Sequence, residues 1–271
     1  MAATVSETVD AFHRGRFQIL QPKGRGHRAG MDAMLLASLV KDDTACRVAD
    51  LGAGAGAAGM AVASRLEKAD VTLFEFSSEM VDFAQRSLLL PANAMFANRI
   101  RAQQADVTLR ANARREAGLL DNHFHHVIMN PPYNDAGDRK TPDALKAAAH
   151  AMTDDLFENW LRTAAAIMVP GGQLSLIARP SSISDIITAC GRRFGGLEIT
   201  LIHPRAGEDA VRMLVTAIKG SRARLTFRAP LTMHEDDSHA FLSGVDDLSN
   251  GRVGYGRNDG NTPGKRQQPS S

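Results

Sequence analysis

The chain has 271 residues, 44% of them hydrophobic and 23% charged, with a net charge of +2. That length suits one large α/β domain or two small ones, and the balanced charge excludes a chain that is basic throughout. Cys46 and Cys190 exclude a disulfide framework and sit in no zinc spacing, the stretch from Met1 to Phe17 holds no apolar signal core, and no run approaches the ~20 apolar residues of a membrane span, so a cytoplasmic protein is expected.

In chain order, the first feature is charge. No acid occurs between Ala11 and Met31, while Arg14, Arg16, Lys23, Arg25 and Arg28 are basic. Such a cluster neutralises phosphates or is simply a solvated loop. Residues 47–51 then read as a buried strand ending at glycine, 57–66 as a helix of small residues and 71–75 as a second strand. Met80, Val81, Ala84 and Leu88 recur at helical spacing over 78–90, with Ser78 as the cap. Residues 124–129 form a third strand, stopped by Pro131-Pro132. An amphipathic helix over 154–168 closes at Pro170-Gly171-Gly172, followed by a strand over 174–178 and a helix over 182–190. Strands over 197–202, 213–218 and 225–227 come last, with no helix between them.

This alternation predicts a Rossmann-like, doubly wound α/β fold. Its mostly parallel sheet has seven strands, with an antiparallel strand at one edge. Residues 1–46 form an N-terminal segment that covers the site, and 47–235 form the main domain. From 236 to 271 Gly, Asp, Asn, Ser, Arg and Pro dominate, so a mobile tail is expected. Lys219, Arg222, Arg224 and Arg228 make a second basic cluster.

The segment Asp50-Leu51-Gly52-Ala53-Gly54-Ala55-Gly56 lies between a strand and a helix. Glycines there allow a tight turn and close approach to a ligand, and the helix start offers free N–H groups. Residues 54–59 also match the G-x-G-x-x-G dinucleotide pattern. Three features weigh against a nicotinamide cofactor. The strand ends two residues too early, Asp50 would repel a pyrophosphate, and no acid or base for hydride transfer is evident. Glu75, at the end of the second strand, suits the two hydroxyls of a ribose, and Asp106 suits an adenine amino group.

Asn130-Pro131-Pro132-Tyr133 follows an apolar strand, at the end where open α/β sheets bind ligands. The two prolines fix the backbone and hold the residue before each out of the helical region. The Asn130 side-chain oxygen and the Pro131 carbonyl would accept the two N–H bonds of a planar amino group, which makes its nitrogen more pyramidal and more nucleophilic. Tyr133 would stack on the flat substrate. Positioning and fixed dipoles supply the rest, and no strong base is required.

These residues together resemble the class I, Rossmann-like methyltransferases that use S-adenosylmethionine. The resemblance implies a cofactor site of Asp50, Gly52, Gly54, Gly56, Glu75, Phe76, Asp106, Val107 and Asn130. It implies a reaction loop of Asn130, Pro131, Pro132 and Tyr133, S-adenosylhomocysteine as product and no metal. The stretch from Phe17 through Leu36 is similar to the segment before the cofactor motif in bacterial tRNA1(Val) adenine-37 N6-methyltransferases. That likeness adds Arg28 and Gly30 to the cofactor site and implies a tRNA anticodon-loop adenine as substrate. Arg14, Arg16, Lys23, Arg25, Lys219, Arg222 and Arg224 would hold the RNA. Residues 108–122 read as an insertion against that family. The alternatives are a protein glutamine N5-methyltransferase, which uses the same loop, and a ribosomal RNA guanine or adenine methyltransferase. The assembly is a monomer or a homodimer.

Overall fold

The computed structural model describes residues 6–23, 30–40, 44–132, 156–235, 238 and 240–256. The chain opens with an antiparallel hairpin, β1 (Glu7–Phe12) and β2 (Phe17–Pro22). Then follow α1 (Met31–Ser38), β3 (Cys46–Leu51), α2 (Ala57–Arg65), β4 (Ala69–Glu75), α3 (Ser78–Leu88) and β5 (Ile100–Gln104). Next come α4 (Ala111–Glu116), β6 (Phe124–Met129), α5 (Leu156–Ile167), β7 (Met168–Ala178) and α6 (Ile183–Cys190). The last elements are β8 (Phe194–His203), β9 (Arg212–Lys219), β10 (Thr226–Phe227), β11 (Leu231–Thr232) and α7 (Ser243–Ser249).

The main sheet runs β10-β8-β9-β7-β6-β3-β4-β5, with β11 also pairing with β8. From β7 through β5 the strands are parallel. The fold is the expected mostly parallel, Rossmann-like α/β sheet, with seven long strands and two of two residues. The antiparallel strand is not at the edge: β9 inserts between β7 and β8 and pairs antiparallel with both. After α6 the chain returns to lay β8 one place beyond its neighbour, and β9 then fills the gap. The segment at 225–227 is only the two-residue β10, whereas β5 is a full strand whose sequence, IRAQQ, carries one buried apolar residue, Ile100.

The central strands are apolar on both faces because helices cover both. One face packs the β1–β2 hairpin, α1, α2 and α3 around Phe17, Leu36, Met60 and Phe83. The other packs α5 and α6 around Leu119, Trp160, Leu161 and Ile186. The cap of α3 is Ser77, which accepts from the Met80 N–H at 3.4 Å, one residue earlier than the sequence suggested.

The hairpin and α1 share one hydrophobic cluster with β3 and α2. Within the stretch expected to be a tail, Val245 and Leu248, three residues apart on α7, are buried in that same cluster. Tyr255 donates its N–H to the Ser38 carbonyl at 2.7 Å, and its hydroxyl meets the Thr200 hydroxyl at 2.9 Å. Two apolar residues and a tyrosine suffice to dock a segment whose composition is otherwise polar. Among the described residues no helix is long and apolar enough to cross a membrane.

Candidate functional site

The site is built at the carboxyl ends of β3, β4, β5 and β6. The connections from β3 run one way through β4 to β5, while β6 and β7 lie on its other side, so these ends border the crevice where such folds bind ligands. Leu51 pairs with Met129, which sets Gly52 and Asn130 side by side as the first residues beyond their strands.

The glycine loop is pinned from β4. Gly52 and Ala53 both donate to the Phe74 carbonyl, at 2.8 and 3.0 Å. The Glu75 carboxylate accepts from the Gly54 N–H at 2.9 Å and from the Ser77 N–H at 2.8 Å. Glu75 therefore ties the loop to the start of α3 and remains half-buried at the crevice. Gly54 has φ +56°, and a Cβ there would meet nothing within 4 Å, so the loop faces open space. Phe76 is 61% exposed, an aromatic face beside Glu75.

Asp50 lies deeper than Glu75. It is 2% exposed, and its carboxylate accepts from the Gly59 N–H inside α2 at 2.8 Å. Burial pushes its pKa up to about 7, with Glu75 adding to the rise and the Gly59 hydrogen bond opposing it. Asp50 thus ties the end of β3 to the first turn of α2. Gly59 explains the literal dinucleotide pattern. A Cβ there would lie 2.2 Å from Leu73 and 3.2 Å from the Asp50 carboxylate, so that glycine permits close helix–strand packing.

Asp106 lies just past β5, and its Oδ1 accepts from the Thr108 N–H and hydroxyl, at 2.8 and 2.7 Å. Val107 is buried, and its carbonyl accepts from the Thr163 hydroxyl of α5 at 2.6 Å. Those bonds fix the loop after β5 onto α5. The sequence also missed Trp160 on that helix. A Cβ on Gly52 would lie 2.4 Å from the Trp160 ring, so the indole packs directly against the glycine loop, 4% exposed. Among the described residues its buried indole N–H has no hydrogen-bond partner. Its status as the chain's single tryptophan was the one available signal.

Asn130 is half-buried, Pro131 buried and Pro132 exposed, so this segment leaves the core at the carboxyl end of β6. Gly30 begins α1 near the same edge, where Asp32 pairs with Arg212 at the start of β9 at 2.9 Å. Tyr133, Arg25 and Arg28 lie outside the described residues.

The remaining basic residues are elsewhere. Arg14 pairs with Asp246 in the first turn of α7 at 2.6 Å, and Arg16 donates to the Ser64 carbonyl in the last turn of α2, the end away from the glycine loop. Lys23 is exposed beyond β2. Lys219 ends β9 and donates to the Met168 carbonyl at 2.6 Å and to the Asn122 side chain at 2.8 Å. Burial lowers its pKa. Lys219, Arg222 and Arg224 therefore lie at the amino end of the sheet, opposite the crevice, and Lys219 is engaged in holding strands together.

The model of the methyltransferase small-domain family matches residues 28–198. The chain belongs to this family of methyltransferases. The methyltransferase is 25% identical over 207 residues to the tRNA1(Val) (adenine(37)-N6)-methyltransferase of Pedobacter heparinus, covering 76% of this chain and 83% of that one. To the Shewanella putrefaciens protein of the same name it is 29% identical over 59% of this chain, and it spans 63% of that protein's length. A crystal structure from Agrobacterium tumefaciens, described as a predicted O-methyltransferase, is 70% identical with a TM-score of 0.74, covering 84% of this chain and 99% of that one. S-adenosylmethionine is the methyl donor of this enzyme. The residues present fit it: an open glycine cradle at Gly54, a carboxylate at Glu75 and an exposed ring at Phe76 on adjacent strand ends.

Proposed function

We propose that the methyltransferase acts on an exocyclic amino nitrogen, adenine N6 of a tRNA anticodon loop. The observation that carries this reading is the placement of Asn130-Pro131-Pro132 directly beside the glycine loop, through the Leu51–Met129 register. Bound S-adenosylmethionine supplies an electrophilic sulfonium methyl and leaves as S-adenosylhomocysteine. Asn130 and the Pro131 carbonyl accept the two N–H bonds of the amino group and hold its lone pair toward that methyl. The N–C bond forms as the S–C bond breaks, and the acidified N–H proton then passes to solvent. Tyr133 supplies the stacking ring and Glu75 the contact to the ribose of the donor. Asp106 and Val107 border its adenine and Gly30 its outer side.

The names of the Pedobacter and Shewanella relatives support an adenine substrate. The description of the Agrobacterium relative raises transfer to oxygen. A hydroxyl offers one O–H to two acceptors and needs a base to remove it, so the Asn-Pro-Pro loop suits nitrogen better. An exposed loop base is reachable without opening a duplex. A cytoplasmic location goes with that substrate. The test is methylation of RNA and protein from a strain lacking the enzyme, with labelled donor and analysis of the products. N6-methyladenosine in tRNA supports the reading; 2′-O-methylation, or label confined to protein glutamine, sinks it.

A further inference from the structure

The amino end of the sheet carries three arginines without counter-ions. Arg192 follows α6, and Arg222 and Arg224 follow β9; all three are exposed. Among the described residues none of them forms an ion pair. The acids nearby are already taken: Glu158 pairs with Arg193 at 2.5 Å and Glu198 with Arg228 at 3.3 Å. Arg192 and Arg222 line one cavity of about 540 Å³, together with Gly191, Phe194, Gly195 and Ala223.

The segment that carries Arg222 and Arg224 is held rigidly. Gly196 donates to the Ala223 carbonyl and Gly220 to the Arg193 carbonyl, each at 2.8 Å. A Cβ on Gly195 would lie 2.3 Å from the Ser221 carbonyl, so this strap is pressed onto β8 at a position that only glycine allows. Beyond it β10, the outermost strand, presents Phe227 at 59% exposure. Unpaired like charges repel one another, and their retention on a rigid strap beside a free aromatic ring matches a polyanion that also offers bases for stacking.

We propose that Arg192, Arg222, Arg224 and Phe227 form a second RNA contact, which grips the phosphate backbone at the end of the sheet opposite the reaction loop. The two ends are about 20 Å apart, from the six residues of β7 between Gln173 and Ala178 at ~3.3 Å each. The surface therefore engages a part of the folded RNA remote from the methylated base. This rests on the reading that RNA is the substrate.

The test is equilibrium binding of unmethylated tRNA across a salt series, for the wild type and for R192A/R222A/R224A. The variant should bind tRNA about tenfold more weakly, and its slope of log affinity against log salt should shrink by about 2. Its KM for tRNA should rise while kcat, donor affinity and Tm stay unchanged. A loop-only oligonucleotide should bind both proteins alike, and R192K/R222K/R224K should recover the slope. Unchanged tRNA affinity and slope in the alanine variant would overturn the proposal, as would a wild type that binds no RNA. A wild type that binds tRNA through this surface but methylates none would overturn only the adenine reading.

Discussion

Asn130 and Asp50 stand one residue beyond and one residue before the ends of adjacent strands, yet they do opposite work. Asn130 borders the crevice, and Asp50 is sealed beneath it. Asn130→Ala should lower kcat by about 10²–10³, the usual cost of losing one aimed hydrogen-bonding group, with donor affinity kept within about twofold. Steady-state kinetics and calorimetric titration of the donor check this, and a loss of donor binding with full kcat would reverse the assigned roles. Asp50 makes a different prediction, through pH. Its folded pKa of about 7 lies above the ordinary aspartate value of 3.8, so its contribution to stability is full below about pH 4 and is lost as pH rises to about 7. Buried His13 acts in the opposite sense. Burial and the nearby Arg16 and Arg65 lower its pKa from 6.5 to about 4, so its contribution is full above pH 6.5 and is lost as pH falls to about 4. The two slopes oppose each other between pH 4 and 6.5. Asp50→Asn keeps an acceptor for Gly59 and removes one slope. Urea unfolding of that variant should show stability rising more steeply with pH through this window than the wild type, and a parallel profile would contradict the buried carboxylate. The sequence made Asp50 legible as part of the loop, but not its direction. A strand-end acid faces ligand or helix according to where α2 packs, and Gly59 brings that helix within hydrogen-bonding distance.

At the scale of elements, what was readable followed from apolar spacing. Strands β3, β4, β6 and β7 are buried on both faces and announce themselves. Strand β5 does not, because an edge strand with one buried apolar residue lacks the alternation that identifies a strand. Trp160 escaped notice for another reason: it reads as one more apolar position of α5, and only the loop geometry brings its ring onto Gly52. The docking of α7 was hidden by the polar composition around it, although Val245 and Leu248 have helical spacing. Leu248 is buried against the α1 layer, so Leu248→Ala should cost about 2–4 kcal/mol in urea unfolding. A cost under about 0.5 kcal/mol, typical of a surface position, would restore the mobile-tail reading. Gly59→Ala should likewise destabilise, by about 1–3 kcal/mol, because its methyl would enter space held by Leu73.

Over the whole molecule, charge and chemistry occupy opposite ends of the sheet. The glycine loop, Glu75, Phe76 and Asn130 gather at the carboxyl end, while Lys219, Arg222 and Arg224 sit at the amino end. No count of basic residues along the chain reveals this separation; it follows from β9 running antiparallel, which carries Lys219 back from the crevice. Arg14 and Arg16, read as phosphate contacts, meet Asp246 and the end of α2. The family and its donor were legible because the loop motifs are local in sequence, whereas the proposed RNA surface draws on distant segments.

Methyl transfer to an adenine amino nitrogen is measured most directly by nucleoside analysis of tRNA incubated with the enzyme and donor carrying a labelled methyl. Label is expected in N6-methyladenosine, at an initial rate about 10²–10³-fold lower with Asn130→Ala. Label in a 2′-O-methylated nucleoside, or none in RNA while protein glutamine is labelled, would contradict it.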